Sequence, residues 1–466
     1  MMREDTIAAP ATPPGRGGIG TVRLSGPRAG EIARNVLQLP PQPLEARRAT
    51  LVKFPDPEDG RILDEVVVTY FPGPRSYTGE DVVEISCHGS PVILSYLMQC
   101  CQALGARVAE PGEFTLRAFL NGRMDLSQAE AVRDLIESRT LYQARVAALQ
   151  LEGSLSARVK PNQESLVNLI ATLEAGIDFG EDDIPAMPWE EIGQRVETLR
   201  QDIGALAETY RYGRIVREGL TLALAGRPNV GKSSVFNRLL NMERAIVTPI
   251  PGTTRDLISE TATLDDIPIR FVDTAGIRPA QDEVEQMGIE KSRQAIADAD
   301  VRLLVLDVSE AWHAEDSELI LQMCRLGPSV IVANKRDLPI RLARSAIEKA
   351  VLSCQASSSP APSIIYTSAK TGEGFEELRD HIISAVTGKQ GQTAEGEWLT
   401  NARHYEVIHQ SLQALERAQQ AAAQRVHHEM ILLDLYDALG RLGELTGATD
   451  VENILGVIFS KFCIGK

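Results

Sequence analysis

The stretch Gly226-Arg-Pro-Asn-Val-Gly-Lys-Ser-Ser234 decides the fold of this chain. It follows an apolar run, Leu220 to Ala225, that predicts a buried strand, and it leads into Ser234 to Leu240, which predicts a helix. Glycines at such a turn allow backbone N–H groups and the helix N-terminus to face a phosphate chain. Lys232 would then reach the β- and γ-phosphates, and the Ser233 hydroxyl would ligate Mg²⁺. The stretch therefore predicts a phosphate-binding loop in an α/β domain.

A second segment, Phe271-Val-Asp-Thr-Ala-Gly276, fits the same kind of site. Asp273 ends a predicted strand and can hold Mg²⁺ through a water molecule. Gly276 can offer its N–H to the γ-phosphate. The segment therefore predicts the triphosphate end of the pocket.

Two later segments predict which base is bound. In Asn334-Lys-Arg-Asp337, Asp337 can accept two hydrogen bonds from the N–H edge of guanine, which adenine cannot supply. Asn334 can donate to the opposite edge, and the stem of Lys335 can pack on the base. In Ser368-Ala-Lys370, a backbone N–H can meet the guanine carbonyl. Polar groups left unpaired by the wrong base make such a pocket selective, so we predict a guanine-nucleotide-binding domain.

Composition indicates an ordinary globular protein. The 466 residues suffice for roughly three domains, and 43% of them are apolar and 24% charged. We expect no membrane span, because no apolar run approaches about 18 residues, and no signal region, because the N-terminal residues are polar. Six cysteines are scattered without metal-ligand spacing. A reduced, cytoplasmic protein is the expectation.

The charge balance limits how this chain can bind RNA. Its net charge is −16, the wrong sign for a protein whose whole surface attracts nucleic acid. An RNA substrate would therefore meet a local basic patch or be bound mainly by a partner. Residues 211–217, which contain three arginines, are one candidate patch, and a solvated helix end is the other interpretation.

The pattern along the chain predicts four segments: an α+β N-terminal domain (1–120), a first helical part (121–216), the nucleotide domain (217–387) and a second helical part (388–466). The two helical parts would form one domain with the nucleotide domain inserted. Ser127 and Glu130 predict a capping box. Gly15 to Gly20 fits GxGxxG, but a strand-like segment follows it, which excludes a dinucleotide site. The predicted fold class is multidomain α/β, with a Ras-like, mostly parallel sheet in the inserted domain.

Hydrolysis poses a problem, because Ile277 stands where Ras-like enzymes place the glutamine that orients water. Asp282, Glu283 and Glu285 follow in the same segment as acidic candidates for this role, and ordinary solvated charges are the alternative for Asp282 and Glu283.

The transition state also needs positive charge. Asn229 could hold a monovalent cation with its amide oxygen, and carbonyls of Thr248 to Thr254 could complete the oxygen shell. Thr254 would ligate Mg²⁺. Arg255 or an arginine from a partner would be the alternative source of charge.

These motifs, together with Pro251-Gly-Thr-Thr-Arg-Asp256, resemble the bacterial GTPases grouped with Era and Der. The ending Phe462-Cys-Ile-Gly-Lys466 is similar to the signature of the MnmE (TrmE) family. The segments 11–20, 78–84 and 111–121 resemble that family as well. The resemblance therefore spans the whole chain.

The resemblance implies a set of site residues. Cys463 matches the signature cysteine, and Glu285 matches a glutamate that orients water through a second water. His88 lies between Cys87 and Ser90, which depart from the family's usual glycines, so the resemblance does not support a catalytic role for it. The implied K⁺ ligands are Asn229, Thr248, Ile250 and Thr253; the Mg²⁺ ligands are Ser233 and Thr254; and the folate ligands are Arg23, Glu84, Arg123 and Lys466. The predicted GTP-binding residues are Asn229, Val230, Gly231, Lys232, Ser233, Ser234, Thr248, Thr253, Thr254, Asp273, Thr274, Ala275, Gly276, Asn334, Lys335, Asp337, Ser368, Ala369 and Lys370.

The implied activity is a K⁺-dependent GTPase that modifies C5 of the wobble uridine of certain tRNAs. It would act as a homodimer with MnmG (GidA), a partner that uses FAD and NADH, and take a one-carbon unit from 5,10-methylenetetrahydrofolate. An Era- or Der-like ribosome-assembly GTPase is the alternative, although neither a KH domain nor a second nucleotide domain is visible. A dimeric GTPase switch without modification chemistry is a further alternative.

Overall fold

The computed structural model describes residues 5–178, 187–242, 261–264, 266–273, 296–352, 361–387, 398–448, 452–463 and 465. Contacts divide the chain into two compact units. The first unit comprises Met1–Arg133, Leu151–Ser156 and Gly440–Lys466. The second unit comprises Asp134–Gln150 and Ala157–Leu439.

The first unit contains a six-stranded sheet with the order β3-β4-β5-β2-β1-β6. All neighbouring pairs are antiparallel except β1 with β6. One face packs against two helices, α1 (Ala29–Val36) and α2 (Pro91–Ala103), around a core that includes Val22, Ile32, Ile85 and Leu97. The strands are β1 (Ile7–Pro10), β2 (Gly17–Ser25), β3 (Thr50–Pro55), β4 (Ile62–Phe71), β5 (Val82–Gly89) and β6 (Arg107–Val108).

Helices dominate the chain between the two sheets. Leu166, Leu169, Ile170 and Leu173 are buried at helical spacing, as their periodicity predicts. The helices up to this point are α1 (Ala29–Val36), α2 (Pro91–Ala103), α3 (Glu113–Leu120), α4 (Leu126–Glu137), α5 (Leu141–Leu151), α6 (Ser154–Asp178), α7 (Trp189–Glu208) and α8 (Tyr210–Glu218).

The capping box predicted at Ser127 and Glu130 is wrong by two residues. Helix α4 begins at Leu126, so Ser127 already lies within its first turn. Asp125 Oδ1 accepts from the Gln128 N–H at 2.9 Å, and Gln128 Oε1 accepts from the Asp125 N–H at 2.9 Å. The reciprocal pair at the helix start is therefore Asp125 with Gln128, an aspartate serving as well as a serine at this position.

The second unit contains a six-stranded sheet with the order β12-β11-β10-β7-β9-β8. All neighbouring pairs are parallel except β8 with β9. Burial explains why the central strands read as continuous apolar runs: every residue of β10 is buried. The strands are β7 (Leu220–Ala225), β8 (Thr261–Leu264), β9 (Ile267–Asp273), β10 (Val301–Asp307), β11 (Ser329–Asn334) and β12 (Ser363–Tyr366).

The register of these strands brings their carboxyl ends to one edge. Asp273 pairs with Leu224, and Asp307 pairs with Asn334. Ligands of open parallel sheets bind at this edge, so the predicted site segments emerge where they are needed.

The remaining described helices follow the phosphate loop and the later strands. They are α9 (Lys232–Met242), α10 (Ala314–Leu326), α11 (Arg344–Leu352), α12 (Phe375–Thr387), α13 (Ala402–Ala423), α14 (His428–Thr446) and α15 (Glu452–Phe459). Within the described part of the chain, none of the helices has both the length and the apolar character that a bilayer span requires.

Candidate functional site

The loop between β7 and α9 has the backbone that a phosphate-binding loop requires. Gly226 and Gly231 have φ of +146° and +100°, and Asn229 has φ of +65°. A Cβ on Gly226 would collide with the carbonyl oxygen of Val305 on the neighbouring strand β10. The glycine is needed here for its backbone conformation and for this close approach.

Lys232, the first residue of α9, lies across this loop. Its Nζ donates to the carbonyl oxygens of Gly226 and Arg227, both at 2.8 Å. Ser233 and Ser234 follow on the first turn of the helix and are exposed. An ammonium group, free hydroxyls and a helix N-terminus therefore share one small region, which suits a phosphate chain with its Mg²⁺.

Arg227 anchors the loop to the elements after β10, a role that its sequence context did not predict. Its Nε donates to Asp316 Oδ1 at 2.8 Å, and its Nη2 donates to Glu310 Oε2 at 3.1 Å. The side chains of Arg227 and Asp316 are only 12% and 3% exposed. The ion pair between Arg227 and Asp316 is thus largely shielded from solvent, and it holds the phosphate loop against α10.

Asn334 joins the phosphate loop to the loop after β12. Its Nδ2 donates to the Val230 carbonyl oxygen at 3.1 Å, and its Oδ1 accepts from the Ala369 N–H at 3.1 Å. The residue is 2% exposed. An amide has two N–H donors, so one remains for a base. Because the Ala369 N–H is used here, an N–H of another residue in this loop would have to meet the guanine carbonyl.

Lys335 is positioned by a carboxylate at the end of β10. Its Nζ pairs with Asp307 Oδ2, and Ser309 donates to Asp307 Oδ1 through its backbone N–H and its hydroxyl. Burial acts to raise the pKa of Asp307, but these hydrogen bonds outweigh it and hold the pKa below its ordinary value. The ionised carboxylate therefore keeps the lysine stem in place. An aspartate that ends an apolar strand is the signal that could have identified it.

Asp337 is held by the loop after β12. The hydroxyl of buried Ser368 donates to Asp337 Oδ1 at 2.7 Å, and the Thr371 N–H donates to that hydroxyl at 3.2 Å. Asp337 itself is exposed, as is Lys370. The carboxylate is thus oriented by the protein and accessible to a ligand.

Several predicted site residues lie outside the described residues. For Asp273, only the backbone is described. The roles of all of them stay predictions. Those outside the described residues are Thr248, Ile250, Thr253, Thr254, Thr274, Ala275, Gly276, Glu285 and Lys466, together with the alternatives Arg255, Asp282 and Glu283.

The first unit carries a second candidate site on the sheet face opposite α1 and α2. Arg23 and Glu84 are cross-strand partners, and Arg23 Nε donates to Glu84 Oε1 at 2.9 Å. The guanidinium carbon lies 5.5 Å from the ring centre of Tyr77 and 5.7 Å from that of Phe114. Arg23 Nη1 also donates to the Gly465 carbonyl oxygen at 3.4 Å. The structure therefore brings Gly465 of the C-terminal motif to this pair.

Arg123 and Cys463 complete the described part of the predicted folate and signature sets. Arg123 is exposed, and its stem lies against Gly79, where an added Cβ would be 3.4 Å from Arg123 Cγ. Cys463 is exposed, and its carbonyl oxygen accepts from the Gly112 N–H at 3.4 Å. Arg123 thus borders the segment that leads to Glu84.

The three arginines of residues 211–217 contact other residues of the second unit. Arg214 pairs with Asp300, Arg217 pairs with Asp134, and Arg211 donates to the carbonyl oxygen of Ala385. These contacts favour a structural role over the candidate RNA-binding patch.

Comparison with known families decides the identity of the chain. A model of the GTP-binding protein TrmE N-terminus matches residues 6–123, and a model of the MnmE helical domain matches residues 126–463. The chain belongs to the MnmE family. The helical-domain match begins before the second sheet and ends after it, so this MnmE family member carries the nucleotide-binding edge within that match.

Full-length relatives agree with this assignment to the MnmE family. The tRNA modification GTPase MnmE of Koribacter versatilis is 53% identical over 469 residues. The proteins of the same name from Natranaerobius thermophilus and Carboxydothermus hydrogenoformans are 42% and 41% identical. Each comparison covers 100% of this chain and 100% of the relative.

Proposed function

We propose that this MnmE family member is a K⁺-dependent GTPase that modifies tRNA. Together with MnmG (GidA), it would add an aminomethyl or carboxymethylaminomethyl group at C5 of the wobble uridine of certain tRNAs. The observation that carries the proposal is the Asn334 bridge, which joins the phosphate loop to the base-binding loops at one sheet edge. Relatives named tRNA modification GTPase match this chain along their whole length, which supports tRNA as the substrate.

Most of the nucleotide contacts would come from described groups. Lys232 and the N–H groups of its loop would bind the β- and γ-phosphates, with Ser233 and Thr254 ligating Mg²⁺. Asp337 would accept from the guanine N1–H and 2-amino group, and the Lys335 stem would cover the ring. Because Ser368 already orients the Asp337 carboxylate, binding does not have to order it.

Hydrolysis needs a group that orients water, and Ile277 cannot serve. We assign that role to Glu285, acting through a second water molecule. Asn229, Thr248, Ile250 and Thr253 would hold K⁺, which supplies positive charge when bound and replaces an arginine. The left-handed backbone of Asn229 in the exposed loop suits this assignment. Contact between the nucleotide domains of a homodimer would complete the site.

The residues of the first unit fit a folate. One oxygen of Glu84 is held by Arg23, and the side chain is 30% exposed, so the carboxylate can accept from the N–H edge of a pteridine. Tyr77 and Phe114 supply aromatic surface beside it. Arg23, Glu84, Arg123 and Lys466 would hold 5,10-methylenetetrahydrofolate, which supplies the one-carbon unit when bound. We place Cys463 in the catalytic set of this site.

The partners and the domain division belong to the same proposal. MnmG would bring FAD and NADH and contribute much of the tRNA contact, which suits a subunit with a net charge of −16. The proposed location is the cytoplasm. The four segments would be 1–120 for folate binding and dimerisation, 121–216 and 388–466 for the helical domain, and 217–387 for the inserted nucleotide domain.

Nucleoside analysis of tRNA tests the function directly. Cells that lack this gene should lose the modified wobble uridine, and the wild-type gene should restore it. The Lys232→Ala variant, produced at the same level, should not. Unchanged wobble uridine in the deletion strain would favour the ribosome-assembly alternative.

A further inference from the structure

An aspartate–histidine pair in the first unit is not used by the proposed chemistry. His88 Nδ1 lies 2.6 Å from Asp64 Oδ1, and the His88 backbone N–H donates to Asp64 Oδ2 at 2.9 Å. The Asp64 side chain is 7% exposed, whereas that of His88 is 77% exposed. Burial acts to raise the pKa of Asp64, but hydrogen bonds from the backbone and ring of His88 outweigh it and hold the pKa low. An ionised aspartate therefore binds the Nδ1 side, and Nε2 faces solvent.

The pair lies at the end of a polar ladder on the sheet. Along β5, Glu84, Ser86 and His88 alternate with buried residues and so share one face. Arg23 pairs with Glu84, and the hydroxyls of Thr21 and Ser86 are 3.0 Å apart. At about 3.3 Å per residue, the Cα atoms of Glu84 and His88 are roughly 13 Å apart. The ladder thus leads from the candidate folate site to an exposed imidazole.

The two ends of the ladder differ in the side chains that pack over them and in the charged residues beside them. Tyr77 and Phe114 lie over the Arg23 end. At the other end, Ile19 is 69% exposed, and Gly17 packs against Gly89, next to His88. Two further charged residues adjoin this end along the chain: Arg16, which is exposed and precedes Gly17, and Glu65, which is exposed and follows Asp64. Behind the strand, the Cys87 thiol donates to Gly20, and burial raises its pKa to about 11, so it stays neutral.

We infer that His88, oriented by Asp64, binds the carboxylates of the glutamate tail of a folate whose pteridine ring lies at Arg23 and Glu84. This inference rests on the proposed folate site. The order of groups along folate matches the ladder: the neutral pteridine edge meets the Glu84 carboxylate, the tail amide passes the Thr21 and Ser86 hydroxyls, and the anionic tail reaches the imidazole. Because Asp64 occupies the Nδ1 side of the ring, Nε2 is the nitrogen that faces the tail carboxylates, and a hydrogen bond to an ionised carboxylate is charge-assisted.

Two ligands distinguish binding of the glutamate tail from binding of the pteridine ring. Tetrahydrofolate has the glutamate, and tetrahydropteroate lacks it. Calorimetry on the purified full-length protein should show tighter binding of tetrahydrofolate. His88→Ala should weaken tetrahydrofolate about tenfold, the effect of one charged hydrogen bond, and leave tetrahydropteroate unchanged. Because His88→Ala also removes a hydrogen bond from the largely buried Asp64, its thermal unfolding curve is measured alongside and should show a folded protein at the titration temperature.

Three further variants test whether His88 binds the glutamate tail. Asp64→Asn should weaken tetrahydrofolate in the same direction, because the imidazole loses its orienting carboxylate. His427→Ala, an exposed histidine of the second unit, should change neither affinity. Arg23→Ala should weaken both probes, since it lies at the pteridine end.

The possible failures are distinguishable. If the wild type binds tetrahydrofolate and tetrahydropteroate equally well, or if His88→Ala weakens both equally, the tail assignment is overturned while the folate site stands. If the wild type binds neither probe, the folate site itself is overturned, and the tail assignment with it.

Discussion

Asn334 Nδ2 donates to the carbonyl oxygen of Val230 at 3.1 Å, across 104 positions of sequence. The same amide accepts from Ala369, so one buried side chain sets the distance between the phosphate loop and the base-binding loop. A nucleotide whose phosphates bind one loop and whose base binds the other can do so only if the two loops are held at that distance.

Asn334→Ala should therefore weaken both GTP and GDP by about 10- to 100-fold, because the Val230 carbonyl and the Ala369 N–H lose their partner in a buried place. Equilibrium titration with a fluorescent guanine nucleotide measures the loss. Arg336→Ala is the matched control: its pair with Glu373 is about half exposed on both sides, so its affinity should stay within about twofold of the wild type. Equal affinities for Asn334→Ala and the control would contradict the bridging role.

Asp337→Asn should change the preferred base from guanine to xanthine. The carboxylate accepts twice, which suits the N1–H and 2-amino group of guanine, whereas an amide accepts once and donates once, which suits the N1–H and 2-carbonyl of xanthine. Competition of GTP and xanthosine triphosphate for the purified variant gives the ratio. A variant that still prefers GTP would show that Asp337 does not face the base.

Asn229→Ala should abolish the difference between GTPase rates in K⁺ and Na⁺ and spare nucleotide affinity, since the phosphate contacts come from backbone groups and Lys232. Asn237→Ala, an exposed asparagine on α9, should keep the K⁺ stimulation. Unchanged K⁺ stimulation in Asn229→Ala would remove this residue from the cation site.

Glu285→Ala should slow GTP hydrolysis by about 10²-fold with GTP still bound, the lower range for a group that assists proton transfer to or from water. Single-turnover hydrolysis on preloaded protein separates this step from binding. Glu283→Ala serves as the neighbouring control and should hydrolyse GTP at a near-normal rate. The opposite result for the two variants would transfer the role to Glu283.

Glu113 makes the first unit sensitive to acid. Burial acts to raise its pKa, but hydrogen bonds from Arg107, the Glu110 N–H and Arg117 outweigh it and lower the pKa. A carboxyl whose pKa is lower in the folded state stabilises the fold above its unfolded pKa of about 4.3, and this contribution is lost as the pH falls through the folded value.

Glu113→Gln should accordingly reduce the free energy of unfolding by about 3 kcal/mol at pH 7, because the buried Arg117 and the partly exposed Arg107 lose a carboxylate. The difference from the wild type should shrink as the pH falls toward the folded pKa. Urea denaturation at several pH values measures both. Glu45→Gln, whose side chain is 64% exposed, should have little effect at any pH. A difference for Glu113→Gln that is independent of pH would contradict the ionic role.

The sequence determined most of the nucleotide-binding edge. Leu220 to Ala225 is a strand with the predicted bounds, and Asp273 ends a strand, as its pattern indicates. Such features depend on neighbouring residues: an apolar run forms a buried parallel strand, and glycines permit the tight turn that follows. The assignment to the MnmE family, expected from motifs along the whole chain, is confirmed as well.

Only the tertiary structure decided which side chains meet across the fold. Arg227 pairs with Asp316, Asp64 orients His88, and Asn334 donates to Val230. The physical reason is that such pairs depend on strand register and on packing between residues distant in the chain, which local periodicity does not encode. Sequence motifs place chemical groups at the ends of strands, and packing determines which of those groups become partners.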